Sequence, residues 1–169
     1  MHWFAKNSLI AGSMEEIRYN LLLADDDPDD CGFFKEALEE LPFTSNLSTV
    51  NDGVELMRSL TNNLPSLPDM LFLDLNMPRK TGYECLAEIR QHKNLKLLPI
   101  IIISTSFEHD VVNLLYRNGA DFYICKPGNF AVLKELIHKA IKLVTGPVKK
   151  ARSEQNFVLN TNQSSLFLH

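Results

Sequence analysis

Apolar positions in this chain fall into two alternating patterns. Short unbroken runs occur at Leu21-Leu22-Leu23-Ala24, Met70-Leu71-Phe72-Leu73, Ile100-Ile101-Ile102-Ile103 and Phe122-Tyr123-Ile124, and Leu47 to Val50 reads as a further short strand. Runs with no polar member fit strands buried on both faces, and the β-branched run closed by Ser104 is the clearest of them. Between the runs lie stripes at helical spacing: Phe33, Phe34, Ala37, Leu38 and Leu41; Leu56, Leu60 and Leu64; Tyr83, Leu86, Ala87 and Arg90; Val111, Val112, Leu114 and Leu115; and Phe130, Leu133, Leu136, Ile137, Ala140, Ile141 and Val144.

Punctuation supports these bounds. Asp27-Pro28 reads as an N-cap followed by proline at the first helical position. Asn51-Asp52-Gly53 is turn chemistry that caps the second helix. Arg79 to Gly82 reads as a polar loop, Thr105-Ser106-Phe107-Glu108 has capping-box spacing, and Asn118-Gly119 and Gly146-Pro147 are stops. Strands and helices thus alternate through short connections. That predicts an α/β fold: a doubly wound, five-stranded parallel sheet with right-handed crossovers and helices on both faces.

Composition narrows the class. The 169 residues are 45% hydrophobic and 22% charged, as expected of one soluble globular domain. A net charge of −4 argues against nucleic acid as the main partner. Cys31, Cys85 and Cys125 show neither metal nor disulfide spacing and are read as small buried residues in a reducing, cytoplasmic setting. No run is long enough for a membrane span, and the start lacks signal-peptide order. Residues 1–18 are read as a flexible leader, with Met14 a candidate natural start, and 147–169 as a polar, mobile tail in which Leu166-Phe167-Leu168 is a candidate docking patch.

The candidate chemistry sits where the runs end. Asp74 directly follows the third run, and Pro78 closes the segment, so this carboxylate stands at the carboxyl end of a central strand. Open α/β sheets bind ligands in the crevice there. The same edge gathers Asp25 and Asp26 from the first strand, Ser104 from the fourth and Lys126 from the fifth. Three carboxylates so close require a cation, and a hard divalent ion with oxygen ligands, Mg²⁺ best of all, answers that need. Taken alone, Asp25 to Asp27 divide evenly between a metal site and simple helix-capping acids; Asp27 is assigned to the cap. Lys126 alone would be a solvated charge, but opposite carboxylates a bound role is favoured. Its position before Pro127 implies a constrained peptide, open to cis. This set suits phosphoryl transfer, with Asp74 as nucleophile and the metal and Lys126 neutralising the phosphoryl group from two sides.

Asp25-Asp26, Leu73-Asp74-Leu75-Asn76-Met77-Pro78, Ser104 and Lys126-Pro127, each at its own strand end, give the sequence a family likeness. Over residues 19–146 it resembles the receiver domain of two-component response regulators. The resemblance implies a flavodoxin-like, CheY-like sheet of order 2-1-3-4-5. It implies Asp74 as phosphoacceptor, Mg²⁺ held by Asp26 directly, by Asp25 through water, by Asp74 and by the Asn76 carbonyl, and Lys126 paired with the phosphoryl group. Ser104 becomes the switch hydroxyl and Tyr123 the aromatic that changes rotamer, while Asn76 and Ser106 occupy positions that tune hydrolysis. Asp27-Pro28 and the Asn76-Met77-Pro78 variant look most like stand-alone receivers that serve phytochrome-type or hybrid histidine kinases. The implied partners are a histidine kinase or phosphotransfer protein and a downstream protein. Nucleic acid and membrane are not implied, and the protein is expected as a monomer or a phosphorylation-linked homodimer rather than as a classical enzyme.

Three rivals are weaker. An Mg²⁺-dependent phosphatase with an aspartyl nucleophile wants an acid two residues after it, where this chain has Asn76. A flavodoxin-like cofactor protein needs a Ser/Thr/Gly-rich loop after the first strand, where three Asp residues would repel phosphate. A degenerate receiver would not retain the full acid and lysine set.

Overall fold

The computed structural model describes residues 16–147 and 152–161. Five strands, β1 (Arg18–Ala24), β2 (Thr44–Val50), β3 (Met70–Leu73), β4 (Ile100–Ser104) and β5 (Phe122–Cys125), form one sheet in the order β2-β1-β3-β4-β5. Every pairing is parallel: Ala24 lies opposite both Val50 and Leu73, and Leu73 opposite Ile102. Helices α1 (Pro28–Glu39), α2 (Gly53–Asn62), α3 (Gly82–Gln91), α4 (His109–Arg117) and α5 (Phe130–Thr145) alternate with the strands, and a short helix α6 (Glu154–Phe157) follows.

The unbroken apolar runs are explained by the two layers. Alternate strand residues point to opposite faces. Leu21, Leu23, Phe72, Ile101, Ile103 and Ile124 pack toward α1 and α5, whereas Leu22, Ala24, Leu71, Leu73, Ile100 and Ile102 pack toward α2, α3 and α4. Each such Leu, Ile or Phe side chain, fully withdrawn from water, contributes about 1.5–3 kcal/mol, so a polar residue within β3 would be costly on either face. No helix among the described residues is long and apolar enough to cross a membrane.

Several local expectations need revising. β1 and β2 extend further toward their amino ends than their apolar runs, because Thr44 to Asn46 pair with the polar start of β1. Ordered structure therefore reaches into the expected leader: β1 begins at Arg18, and the Thr44 hydroxyl donates to Glu16 at 2.6 Å. Met14 lies outside the described residues. The capping box lies at Thr81–Glu84, in the stretch read as a polar loop, and not at Thr105–Glu108. Ser106 turns toward Ser104 and Tyr123 instead, and Glu108 precedes α4 without a side-chain cap. Phe33 and Leu114 belong to helical stripes yet are exposed. The Lys126–Pro127 peptide is trans, since the described chain holds no cis bond.

The largest departure is beyond Pro147. Residues 152–161, expected as part of a mobile tail, pack against the edge of β5, with Phe157 and Leu159 buried. The sequence signal was there but short: Phe157-Val158-Leu159 is an apolar triplet inside polar surroundings. Leu166-Phe167-Leu168 lies outside the described residues.

Candidate functional site

Two main-chain hydrogen bonds set the frame of the site. Past the end of β3, the Asp74 N–H donates to the Ala24 carbonyl at 2.9 Å, and past the end of β1 the Asp25 N–H donates to Val50 at 3.1 Å. The two acids therefore continue the ladder side by side on neighbouring strands, and both are buried. Asp25 is fixed further by the Asp27 N–H, which donates to its Oδ1 at 2.9 Å. Asp27 itself caps α1, accepting from Asp29 and Asp30 N–H at 2.8 and 3.3 Å, which settles its assignment as a capping acid. Asp26 stands exposed at the rim. One carboxylate oxygen each from Asp25, Asp26 and Asp74 lie within 4.8 Å of one another.

The loop after Asp74 is held close by glycine. The Gly82 N–H donates to the Leu75 carbonyl at 2.9 Å, and a Cβ at Gly82 would collide with the Asp74 carbonyl oxygen. Arg79 in this loop has φ of +67°, a left-handed conformation held by the tight turn that joins the Lys80 N–H to the Pro78 carbonyl. Asn76 projects from the same loop and is exposed.

Lys126 reaches into the cluster from the end of β5, where its N–H donates to the Ser104 carbonyl at 2.8 Å. Its Nζ lies 2.7 Å from Asp25, 2.8 Å from Asp30 and 3.7 Å from Asp74. Asp30 was not among the residues singled out from sequence. Its place in the first turn of α1, just after the acids that end β1, was the available signal. Burial works to lower the Lys126 pKa, but hydrogen bonds to Asp25 and Asp30 outweigh it and hold the ammonium above its usual value. Asp74 shows the opposite balance. Burial pushes its carboxyl from 3.8 up to about 6, Lys126 pulls only part of that back, and Asp25 and Asp26 add to the rise. Three carboxylates thus meet one ammonium, and Asp26 adds a further negative charge beside them.

The other two predicted residues lie on the far side of Lys126. Ser104 is buried, and its hydroxyl is 3.4 Å from both the Ser106 hydroxyl and the Ser106 N–H. Tyr123 is fully buried, and its hydroxyl donates to the Ser106 carbonyl. Burial raises the Tyr123 phenol, and the neighbouring Ser104 and Ser106 oxygens oppose that rise. A cavity of about 250 Å³ opens beside Lys126 between α1 and α5, lined by Phe33, Phe34, Phe130 and Leu133. The all-oxygen donor set, with its excess negative charge, fits a hard divalent cation, and it lacks the sulfur or imidazole that a softer ion would prefer.

The family model of the response regulator receiver domain matches residues 21–138. Response regulator Rcp1 of Synechocystis is 32% identical over 122 residues, covering 69% of this chain and 82% of its own. The chemotaxis protein CheY of Pseudomonas aeruginosa is 32% identical over 130 residues, covering 75% of this chain and 98% of its own. Among solved structures, the phosphorylated cyanobacterial phytochrome response regulator RcpA superposes with a TM-score of 0.71 at 31% identity, over 78% of this chain and 97% of that one. The sheet order and the acid cluster at its carboxyl edge agree with that match, and the chain belongs to the response regulator receiver family, the CheY-like domain of phosphorelay signalling.

Proposed function

We propose that Asp74 accepts a phosphoryl group from the phosphohistidine of a histidine kinase or phosphotransfer protein, and that the resulting charge resets the surface around Tyr123. The observation that carries this reading is the convergence of Asp25, Asp26, Asp74 and Lys126 at one sheet edge, with the central acid poorly neutralised. A carboxylate oxygen of Asp74 attacks phosphorus, the phosphorus–nitrogen bond breaks, and the departing electron pair and a proton stay with the imidazole. The product is an acyl phosphate.

Asp25, Asp26, Asp74 and the main-chain carbonyl of Asn76 are the proposed holders of Mg²⁺. When bound, the ion neutralises charge on the phosphoryl oxygens. A relative described as the Mn²⁺-bound form of response regulator Rcp1, 29% identical with a TM-score of 0.68, supports a divalent ion here. Lys126 then turns from its acid partners toward the phosphoryl group, and Ser104 donates its hydroxyl to a phosphoryl oxygen. Exposed Phe33, beside the cavity next to Lys126, offers the donor protein an apolar contact. Water attack on the acyl phosphate, passing between Asn76 and Ser106, ends the signal.

The test is incubation with Mg²⁺ and acetyl phosphate, read by intact-protein mass. A gain of one phosphate, absent in Asp74→Asn and in chelator, is expected. An unchanged wild-type mass overturns the reading.

A further inference from the structure

The β5 edge would be a bare row of backbone donors and acceptors, next to the tyrosine proposed as the switch. In this chain it is covered. Val158 bridges Tyr123 in parallel, and the Leu159 N–H donates to the Tyr123 carbonyl at 2.9 Å. Phe157 packs on the α2–α3–α4 side of the sheet and Leu159 on the α1–α5 side, so the segment straddles the edge. The Phe157 ring sits 5.4 Å from Tyr116 and 6.3 Å from Tyr123. The segment is also anchored at both ends: the Arg152 guanidinium lies 4.2 Å over Tyr116 and donates to the Ala120 carbonyl at 2.8 Å, and Lys139 donates to the Asn160 carbonyl at 2.7 Å.

We propose that residues 152–161 are a built-in cover of this edge, docked in cis, whose hold is coupled to phosphorylation of Asp74 through Tyr123. The inference rests on the reading of Asp74 given above. Its sign follows from which Tyr123 position each event favours. The ring is held inward in this structure, with its hydroxyl on the Ser106 carbonyl and its back against Phe157. An outward ring would strike the seat of Phe157, so docking of the segment favours the inward state. Phosphorylation favours the same state, because drawing the Ser104 hydroxyl toward the phosphate leaves more room beside Tyr123. Two events that favour one conformation strengthen each other, and by linkage the gain is reciprocal. Partners that read this face meet the covered edge, with Phe107 and Leu114 as its exposed apolar residues.

The test uses the full chain with Mg²⁺ and beryllium fluoride, a stable mimic of the acyl phosphate. Hydrogen exchange across residues 152–161, the Leu159 amide above all, is expected to slow when the mimic is bound. Reciprocally, Phe157→Ala is expected to bind the mimic about fivefold more weakly, at the low end of ordinary couplings. Arg152→Ala keeps the apolar seat and is expected to move the same way by less, so the question stays answerable if Phe157→Ala does not fold. Wild type that binds the mimic while exchange in the segment is unchanged or faster overturns the coupling alone. Wild type that never binds the mimic overturns the assignment of Asp74 and this inference with it.

Discussion

Carboxylates and a cation meet at both ends of this sheet, and the two ends solve the problem differently. At the amino end of β4 and β5, Asp121 accepts from Arg90 at 3.0 Å and from the Ile100 N–H at 2.8 Å. The same guanidinium donates to the Gly119 and Leu98 carbonyls at 2.8 Å each and to Lys96 at 3.2 Å. One acid meets one guanidinium directly, with Arg152 adding a second positive charge nearby, and the planar fork joins α3 to the loops that lead into β4 and β5. At the carboxyl end, three acids share Lys126 with Asp26 close by, and the most central of the three is its most distant partner. The first end pairs its acid directly, although burial still raises the Asp121 carboxyl, and it serves as a fastening. The second is left short of positive charge, which is the condition for binding a cation and for offering a nucleophilic carboxylate.

Breaking the balanced end should therefore cost more than breaking the unbalanced one. Arg90→Ala strands a partly buried carboxylate and several carbonyls, and is expected to lower stability by about 3 kcal/mol in urea unfolding. Its acetyl phosphate labelling at temperatures where it stays folded should match wild type. A loss of under about 1 kcal/mol would show that the fork is not a fastening.

The unbalanced end should respond with the opposite sign. A carboxyl whose pKa is raised on folding, here from 3.8 to about 6, contributes stability that is present below its unfolded pKa and lost as pH rises through about 6. Asp74→Asn removes that loss. In chelator at neutral pH it is expected to be more stable than wild type by on the order of 2 kcal/mol, with the gap closing as pH falls from about 6 to about 4. A destabilised Asp74→Asn variant at neutral pH would mean that the acids are already balanced. Mg²⁺ is the other way to balance them. At roughly tenfold its dissociation constant it should stabilise wild type and Arg90→Ala alike by about 1.4 kcal/mol, and Asp26→Asn far less.

The sequence made the frame of both ends legible to different degrees. Unbroken apolar runs marked β1, β3, β4 and β5, because a strand buried on two faces has few polar positions to confuse its period, whereas β2, a mostly polar edge strand, was marked only by Leu47 and Val50. Asp74, Asp25, Asp26, Ser104 and Lys126 were legible because strand ends in this topology converge. The fork at Arg90 was not, since Arg90 looked like one more member of a helical stripe and its partners are mostly carbonyls, which carry no residue identity. The segment around Phe157 was hidden by its brevity: three apolar residues give no period to read, and what holds them is the open edge of β5. Asp30 was masked by the cap beside it.

That last residue sharpens the comparison most finely. Asp30 gives the crowded end a feature of the balanced one: with Asp25 it holds Lys126 at hydrogen-bonding distance while Asp74 waits at 3.7 Å. In the proposed transfer Lys126 leaves a partner to meet the phosphoryl group, and the Asp30 contact is the partly solvated one. Such a pair is worth about 0.5 kcal/mol, so Asp30→Asn should speed labelling by acetyl phosphate only about twofold. Direction matters more than size. Slower labelling of the Asp30→Asn variant would mean that Asp30 positions Lys126 for transfer rather than holding it back, and initial rates at several acetyl phosphate concentrations separate the two by whether the maximal rate or the half-saturating concentration moves.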